Sequence, residues 1–349
     1  MYGTCHVLGS NVSGQTIYVR AGKALPFELS GRSKIYAKLG HGGKIWAADP
    51  SVAGTMLWHS ILKKIFSRAN DRRAITVMLA GDTDTGKSTF STYLANIALA
   101  SGMMPCIIDG DIGQSDLAPP SAIGATILSK QVVDLRNARA DLFEFVGSLS
   151  PAGIEHFVIA KLRSILEKCS QLGGDIIIVN TDGYVKDGGN TYKVHMAEIL
   201  QPDVIVCLGK NLPLFHLLKS GPWQILRGRA SNQVHKSKIE RRERRFNQFL
   251  QYIGNGKKKI DARRISYAYM DNIFWPSEAW QSCPIKQLEP ANMQNMFIGL
   301  GVQNVLRGFG IIENATQDNL YILTDVQGFN RIYLSNIHLG IDKEAEIKP

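Results

Sequence analysis

Residues Gly81, Asp82, Thr83, Asp84, Thr85, Gly86, Lys87 and Ser88 form a complete G-x-x-x-x-G-K-[ST] run, and the chemistry of that pattern is the holding of phosphate. Its glycines let the backbone curl so that successive N–H groups point at phosphate oxygens. Lys87 then reaches the β- and γ-phosphates of a nucleoside triphosphate, and the Ser88 hydroxyl ligates Mg²⁺. The run follows an apolar stretch, Ala74 to Ala80, whose β-branched residues suit a buried strand. It precedes Thr89 to Ala100, which reads as a helix ended by Gly102. The N-terminus of such a helix adds partial positive charge beside the phosphates. Strand, loop and helix in that order are the context that gives the motif its meaning.

A second set of chemical residues closes the next strand, Pro105 to Asp109. Asp109 and Asp111 stand two residues apart, with Gly113 and Gln114 after them. A carboxylate at this place holds the water shell of Mg²⁺, and another can accept the proton of an attacking hydroxyl. Polar clusters also end two later strands, at Gly147 to Pro151 and Asn180 to Tyr184. Ligands of open α/β sheets sit beyond the carboxyl ends of their strands, which is where these clusters fall.

The elements that must position these residues alternate. Asp141 to Gly147, Asp175 to Asn180, Asp203 to Leu208 and Trp223 to Leu226 read as strands. Gly153 to Leu172, Tyr192 to Leu200 and Leu212 to Lys219 read as helices. Such alternation predicts an α/β fold, a mostly parallel sheet with helices on both faces. Residues 51–70 form a helix leading in, with Met56, Ile61, Leu62, Ile65 and Phe66 on its apolar face. Before it, short runs separated by glycines (His6 to Leu8, Thr16 to Val19, Lys34 to Leu39, Lys44 to Ala47) predict a small β unit. From about residue 261 onward, Met296 to Leu300, Tyr321 to Thr324 and Arg331 to Leu334 predict a second one. The domains expected are 1–50, 51–260 with a basic segment at 227–256, and 261–349.

The 349 residues are 44% hydrophobic and 20% charged, ordinary for a globular protein. No apolar run approaches the ~18 residues of a membrane span, and the first ten residues lack a signal-peptide core. The five cysteines are odd in number and have no C-x-x-C spacing, which favours reduced, buried thiols over disulfides or zinc. From Arg227 to Arg264 there are thirteen Lys/Arg and three Asp/Glu, so this one segment carries the chain's whole excess of +10. Charge concentrated in this way favours an anionic partner, nucleic acid or the nucleotide itself. A helix over about Ser231 to Tyr252 carries much of it, with Ile239, Phe246, Phe249, Leu250 and Ile253 as an apolar stripe.

Five motifs in order resemble one family, the polynucleotide 5′-hydroxyl kinases of RNA processing, which include archaeal RNA kinases and eukaryotic kinases of mRNA 3′-end cleavage, tRNA splicing and pre-rRNA processing. They are GDTDTGKST at Gly81 to Thr89, DGDIGQ at Asp109 to Gln114, VGSLSP at Val146 to Pro151, NTDGY at Asn180 to Tyr184 and HKSKIERR at His235 to Arg242. The resemblance spans the chain and implies a P-loop domain flanked by N- and C-terminal β-rich domains. It implies transfer of the ATP γ-phosphoryl to the 5′-OH of an RNA or DNA end, with RNA-processing proteins as partners and no membrane. Asp111, or alternatively Asp109, is then the base toward the 5′-hydroxyl, and Gln114 sits near the metal and γ-phosphate. Lys236, Ser237 and Arg241 occupy the lid positions where the family usually has Arg-Ser-x-x-x-Arg. Lysine at the first position keeps the charge but loses the bidentate fork. Arg242, Arg244 and Arg245 are expected on backbone phosphates. Ser148, Ser150 and Pro151 shape the substrate cleft, or else cap a helix. Thr181 and Tyr184 belong to the substrate too; Tyr184 replaces the family's usual tryptophan and would stack on a terminal base.

A nucleotide-binding scaffold in which catalysis has decayed is the alternative, kept open by Lys236 and Tyr184. A regulatory GTPase needs N-K-x-D after a later strand, which neither Asn180 to Gly183 nor Cys207 to Lys210 supplies. The compact length and short N-terminal domain suggest an archaeal, hence cytoplasmic, protein; a eukaryotic one would be nuclear.

Overall fold

The computed structural model describes residues 3–49, 54–69, 74–229, 237–270, 272–274, 289–340 and 344–346. Three short strands open the chain, β1 (Thr4–Val7), β2 (Ser10–Asn11) and β3 (Phe27–Ser30), paired antiparallel in the order β2-β1-β3. Helix α1 (His59–Ala69) leads to β4 (Ile75–Ala80), α2 (Lys87–Ala100) and β5 (Pro105–Gly110). Strands β6 (Ala122–Ile127) and β7 (Leu142–Phe145) follow. The alternation resumes with α3 (Glu155–Gln171), β8 (Ile176–Thr181), α4 (Gly189–Leu200), β9 (Val204–Leu208), α5 (Leu212–Leu218) and β10 (Gln224–Gly228). Helix α6 (Lys238–Leu250) is the basic one. The rest is β-rich: β11 (Lys257–Asp261), β12 (Ser266–Tyr269), β13 (Asn272–Phe274), β14 (Phe297–Val302), β15 (Val305–Ala315), β16 (Asn319–Leu323), β17 (Arg331–Tyr333), β18 (Ile337–Leu339) and β19 (Glu344–Glu346). The mixed α/β reading of the sequence therefore holds.

Contacts divide the chain into two compact units. One comprises Met1–Ile108, Thr126–Arg139 and Leu166–Lys236, the other Asp109–Ala125, Ala140–Ile165 and Ser237–Pro349.

In the first unit β10, β9, β4, β8 and β5 lie side by side in that order. The β10–β9, β9–β4 and β4–β8 pairs are parallel, with Ile75 opposite Ile176 and Val77 opposite Val204. Strands β8 and β9 are buried along their whole length, which is why their sequences IIIVNT and VIVCL read as near-continuous apolar runs without alternation. Helix α2 packs Phe90, Leu94, Ala95 and Ala98 into the same core. Cys106, Cys169 and Cys207 are buried thiols, and burial pushes the Cys207 thiol up to about 12 despite the lowering effect of Arg227.

The leading helix begins as a 3₁₀ turn, Gly54–Trp58, and its apolar face differs from the expected one. Ile61, Leu62 and Ile65 are buried, whereas Met56 is exposed. Trp58, which periodicity does not single out, is the buried anchor. Its indole N–H donates to the Arg229 carbonyl at 3.0 Å, and its ring meets Phe90 edge-on at 5.2 Å.

The N-terminal sheet is smaller than its sequence suggests. Thr16 to Val19, Lys34 to Leu39 and Lys44 to Ala47 form no strand. Alternation marks a strand only when one face is covered, and Tyr18, Ile35, Tyr36, Leu39, Ile45 and Trp46 are all exposed. Val7, Leu8 and Val12 bury this end against the rest of the unit, and polar contacts add to the attachment. Asn96 of α2 donates to the Leu8 carbonyl at 2.8 Å, and Lys23 reaches Asp134 at 2.8 Å. Burial works against ionisation of Asp134, but hydrogen bonds and charge from Arg136 and Lys23 outweigh it and hold the carboxyl well below the usual carboxylate range. A carboxylate of depressed pKa stabilises the fold above its unfolded pKa and loses that contribution as pH falls through the folded value. Asp134→Asn should therefore lower the melting temperature at neutral pH, and the gap from wild type should narrow progressively as pH falls below about 4. A gap that persists in acid would remove the ion pair as its cause.

In the second unit β6 and β7 pair antiparallel, Ala122 opposite Phe145. The chain there runs Pro119-Pro120-Ser121 into a glycine-containing strand, so the sequence hides β6. Seven C-terminal strands form a sheet in the order β11-β16-β15-β14-β17-β12-β13. Three of them correspond to the expected runs; β15, 11 residues long, does not, because Gly308 and Gly310 interrupt its apolar pattern. A Cβ on Gly308 would lie 2.6 Å from the Val326 side chain, so the close approach, not a turn, requires glycine there. Aromatic residues knit this unit: Phe297 stacks on Phe309 at 5.6 Å, and Phe249 of α6 meets Phe297 at 4.7 Å. On α6 only part of the expected stripe is buried, since Ile239 and Leu250 are exposed while Phe249 is enclosed.

Candidate phosphate-transfer site

The turn from β4 into α2 is built for an anion. Asp84 and Gly86 hold φ of 60° and 87°, and Gly81 one of 148°. A Cβ on Gly81 would run into the Leu208 carbonyl, so glycine is required where the loop leaves the strand. Thr85 ties the loop by donating to the Asp82 carbonyl at 2.8 Å. Lys87 is folded back, its ammonium donating to the carbonyls of Gly81 at 2.8 Å and Asp82 at 2.7 Å. Helix α2 is capped at Gly86, which brings no side-chain oxygen to the first N–H groups of the helix. Those amides and the helix dipole suit phosphate oxygens.

Asn180 and the loop after β8 complete this half. Asn180 donates to the Ser88 hydroxyl at 3.1 Å and so orients the oxygen expected to meet a metal. The Thr181 hydroxyl donates to the Leu79 carbonyl at 2.7 Å and is fully buried, which gives it a sheet-joining role in place of the substrate contact expected of it. Gly183 abuts the phosphate loop, since a Cβ there would strike Thr83. Tyr184 is half-buried and donates through its hydroxyl to the Asp187 carbonyl at 2.7 Å.

Two residues behind this loop escape the motif reading. Lys193, fully buried, pairs with Asp182 at 2.9 Å, and the Tyr192 hydroxyl donates to the same carboxylate at 3.1 Å. Asp182 in turn accepts the Tyr184 N–H at 2.8 Å. The signal was available: a lysine on a helix whose neighbours are apolar must find an acid. Lys193→Met leaves that acid buried without its cation and should cost about 3–5 kcal/mol in chemical denaturation. The double variant Asp182→Asn, Lys193→Met should recover most of the loss, and failure to do so would mean that packing rather than charge is at stake.

The second unit carries the carboxylates. Asp109 is 1% exposed and is consumed by its own loop, accepting the Asp116 N–H at 2.6 Å and the Ser115 hydroxyl at 3.1 Å. Asp111 is half-buried, one oxygen accepting N–H groups of Gly113 at 3.2 Å and Gln114 at 2.9 Å. Helix α6 is fastened on this loop. Arg244 donates to Asp116 at 2.6 Å and to the Gln114 carbonyl at 3.1 Å; Gln114 donates to the Arg241 carbonyl at 3.4 Å. Burial opposes the Arg244 charge, but Asp116, Asp111 and Asp109 more than offset it and raise the pKa. Arg244 is thus an anchor of the helix rather than the phosphate contact that its place in a basic run suggests. Ser237 starts α6 with a capping box, accepting the Glu240 N–H at 3.1 Å while its own N–H donates to the Glu240 carboxylate at 2.7 Å. Arg241 and Arg245 are half-buried and Arg242 is exposed. Lys236 lies outside the described residues.

Ser148 and Ser150 shape a turn: the Ser148 hydroxyl donates to the Ser150 carbonyl at 3.0 Å, and the Ser150 hydroxyl accepts the Ala152 N–H at 3.2 Å. The turn faces the carboxylate loop, for a Cβ on Gly113 would lie 2.9 Å from the Leu149 carbonyl.

Known proteins resemble this chain in sequence and in fold. The sequence model of the P-loop of mRNA cleavage and polyadenylation factor CLP1 matches residues 81–255, from the phosphate loop past α6. A polyribonucleotide 5′-hydroxyl-kinase of Pyrococcus horikoshii is 27% identical over 283 residues, 78% of this chain and 76% of that protein. Polyribonucleotide 5′-hydroxyl-kinase Clp1 of Danio rerio is 30% identical over 212 residues, 56% of this chain and 47% of that one. In fold, a chain of the solved wild-type Clp1p–Pcf11p complex superposes with a TM-score of 0.68 at 15% identity, over 96% of this chain and 91% of that one. The family match covers half of the sequence and takes in the phosphate loop, the carboxylate loop and the basic helix together: the chain belongs to the CLP1 P-loop family.

Proposed function

We propose that this protein is a polyribonucleotide 5′-hydroxyl-kinase, transferring the γ-phosphoryl of ATP to the 5′-OH of RNA. The observation that carries the reading is the phosphate loop, with its left-handed turns, helix start free of a side-chain cap and inward-folded Lys87. In the transfer, the RNA 5′-oxygen bonds to the γ-phosphorus, the bond from the γ-phosphorus to the β,γ-bridging oxygen breaks, and ADP leaves. Asp111 takes the hydroxyl proton; Asp109, spent on Ser115 and Asp116, is less suited to it. Lys87 exchanges its two carbonyl partners for phosphate oxygens. Ser88 and Asp111 would offer hard oxygen donors that suit Mg²⁺; Asp109, already accepting from Ser115 and Asp116, would serve the ion through the loop it holds in place. When bound, the ion neutralises charge on the transferring phosphates. Arg241 and Lys236 add cations there, Gln114 lines the γ-phosphate end, Ser148 and Ser150 border the RNA, and Arg242 and Arg245 meet its backbone. Tyr184 stacks on the terminal base with its hydroxyl tied back.

The family extends the reading to protein partners of RNA processing. Among the described residues no helix is long and apolar enough to cross a membrane.

The test is label transfer from γ-labelled ATP, with Mg²⁺, to oligoribonucleotides ending in 5′-OH or 5′-phosphate, and to a matching DNA. Label on the 5′-OH RNA alone is expected. Bound ATP without transfer to any oligonucleotide would overturn the kinase and leave an ATP-binding scaffold.

A further inference from the structure

We infer that the segment Lys34 to Trp46 is a second nucleic-acid contact, one that binds the body of a single-stranded RNA rather than its 5′ end. After β3 the chain runs from Lys34 to Asp49 with every residue exposed. Tyr36 is 90% exposed and Trp46 50%, a setting that large aromatic side chains adopt on surfaces built to bind. No carboxylate occurs from Leu29 to Ala48, so Lys34, Lys38 and Lys44 present positive charge alone. The order matters as much as the sign. Lys34, Tyr36 and Lys38 alternate at a spacing of two, as do Lys44 and Trp46, and in extended backbone residues two apart share a side.

A tight turn joins the two arms. The Gly43 N–H donates to the Gly40 carbonyl at 3.0 Å, and Gly42 stands at a φ of 73°, the third position of a type II turn. Each arm thus carries an aromatic ring within two residues of a lysine, both exposed. Single-stranded nucleic acid is bound by that combination, bases stacking on rings while lysines track the phosphates. Charge of a single sign argues against a protein partner of ordinary mixed surface, and no carboxylate within the segment interrupts the phosphate track. Arg20 and Lys23, clamped near Asp134 at 3.9 and 2.8 Å, fasten the stretch just before β3 to the unit that holds the phosphate loop.

The choice of RNA as occupant rests on the kinase reading; the basic and aromatic character does not. The experiment is fluorescence anisotropy of labelled 5′-OH oligoribonucleotides of about three and about twenty-four nucleotides, lengths below and above the roughly 4–16 nucleotides of a single-strand groove. The proteins compared are wild type and the Lys34→Ala, Tyr36→Ala, Trp46→Ala triple variant. The variant should bind the long oligonucleotide at least about tenfold more weakly, with a shallower salt slope, and the short one as wild type does. ATP binding and melting temperature should not change. Equal affinity for the long oligonucleotide would overturn the inference, as would loss of a co-purifying protein with RNA binding intact. A binding difference in a protein that transfers no label would sink the kinase reading and leave the contact standing.

Discussion

Lys87→Ala should abolish measurable labelling of a 5′-OH oligoribonucleotide, with kcat/KM falling by about 10²- to 10³-fold. Lys87 is only 7% exposed, and its ammonium is held by the carbonyls of Gly81 and Asp82, in the loop itself. Charge developing on a transferring phosphoryl needs a cation placed in advance, and no neighbouring group of the loop supplies a second one. The phosphate loop should keep its shape in the variant, because its left-handed residues and the Thr85 to Asp82 bond do not involve the lysine. ATP should therefore still raise the melting temperature, by less than in wild type. Wild-type transfer in the variant, measured by single-turnover labelling, would mean that phosphate is held elsewhere.

Asp111→Asn is expected to lower kcat by about 10²- to 10⁴-fold, the range for a positioned general base, with little change in the KM for ATP. Asparagine keeps the oxygen that accepts the Gly113 and Gln114 N–H groups, so the turn survives and only the proton acceptor is lost. Asp109→Ala should behave differently. It strips partners from the buried Asp116 N–H and Ser115 hydroxyl, at about 1–3 kcal/mol for each unsatisfied group. That loss reads out in the melting temperature as much as in rate. A normal kcat for Asp111→Asn, with inactivity confined to a stable Asp109→Asn, would exchange the two roles.

Legibility from sequence followed how local the physics was. The phosphate loop was plain because its residues are consecutive and its glycines answer to backbone geometry. The central strands were plain because burial on both faces removes polar residues from them altogether. The N-terminal arms misled, since alternation is a necessary mark of a strand and not a sufficient one; Tyr36 and Trp46 alternate with polar neighbours but nothing covers them. Strand β15 was hidden by Gly308, whose reason is the nearness of Val326, 18 residues on in the chain. Among functional residues, Thr181 looked like a substrate contact because it stands in a motif, whereas its hydroxyl serves the Leu79 carbonyl on the neighbouring strand.

The sequence by itself determined the chemistry: a phosphate loop, two carboxylates at a strand end, and one segment holding the whole positive excess. All of these rest on residue types at short fixed spacings, where a side chain's chemistry and the local backbone suffice. Only the tertiary structure decided what each charge does. Arg244 and Arg242 are two residues apart in one basic run, yet the first is drawn to Asp116 and Gln114 while the second faces solvent. Lys193 carries the same charge as Lys87, yet it is sealed against Asp182 behind the aromatic loop. A buried charge takes whichever opposite charge the fold brings near, and nearness across 128 positions, as between Arg244 and Asp116, is a property of packing that no local pattern encodes.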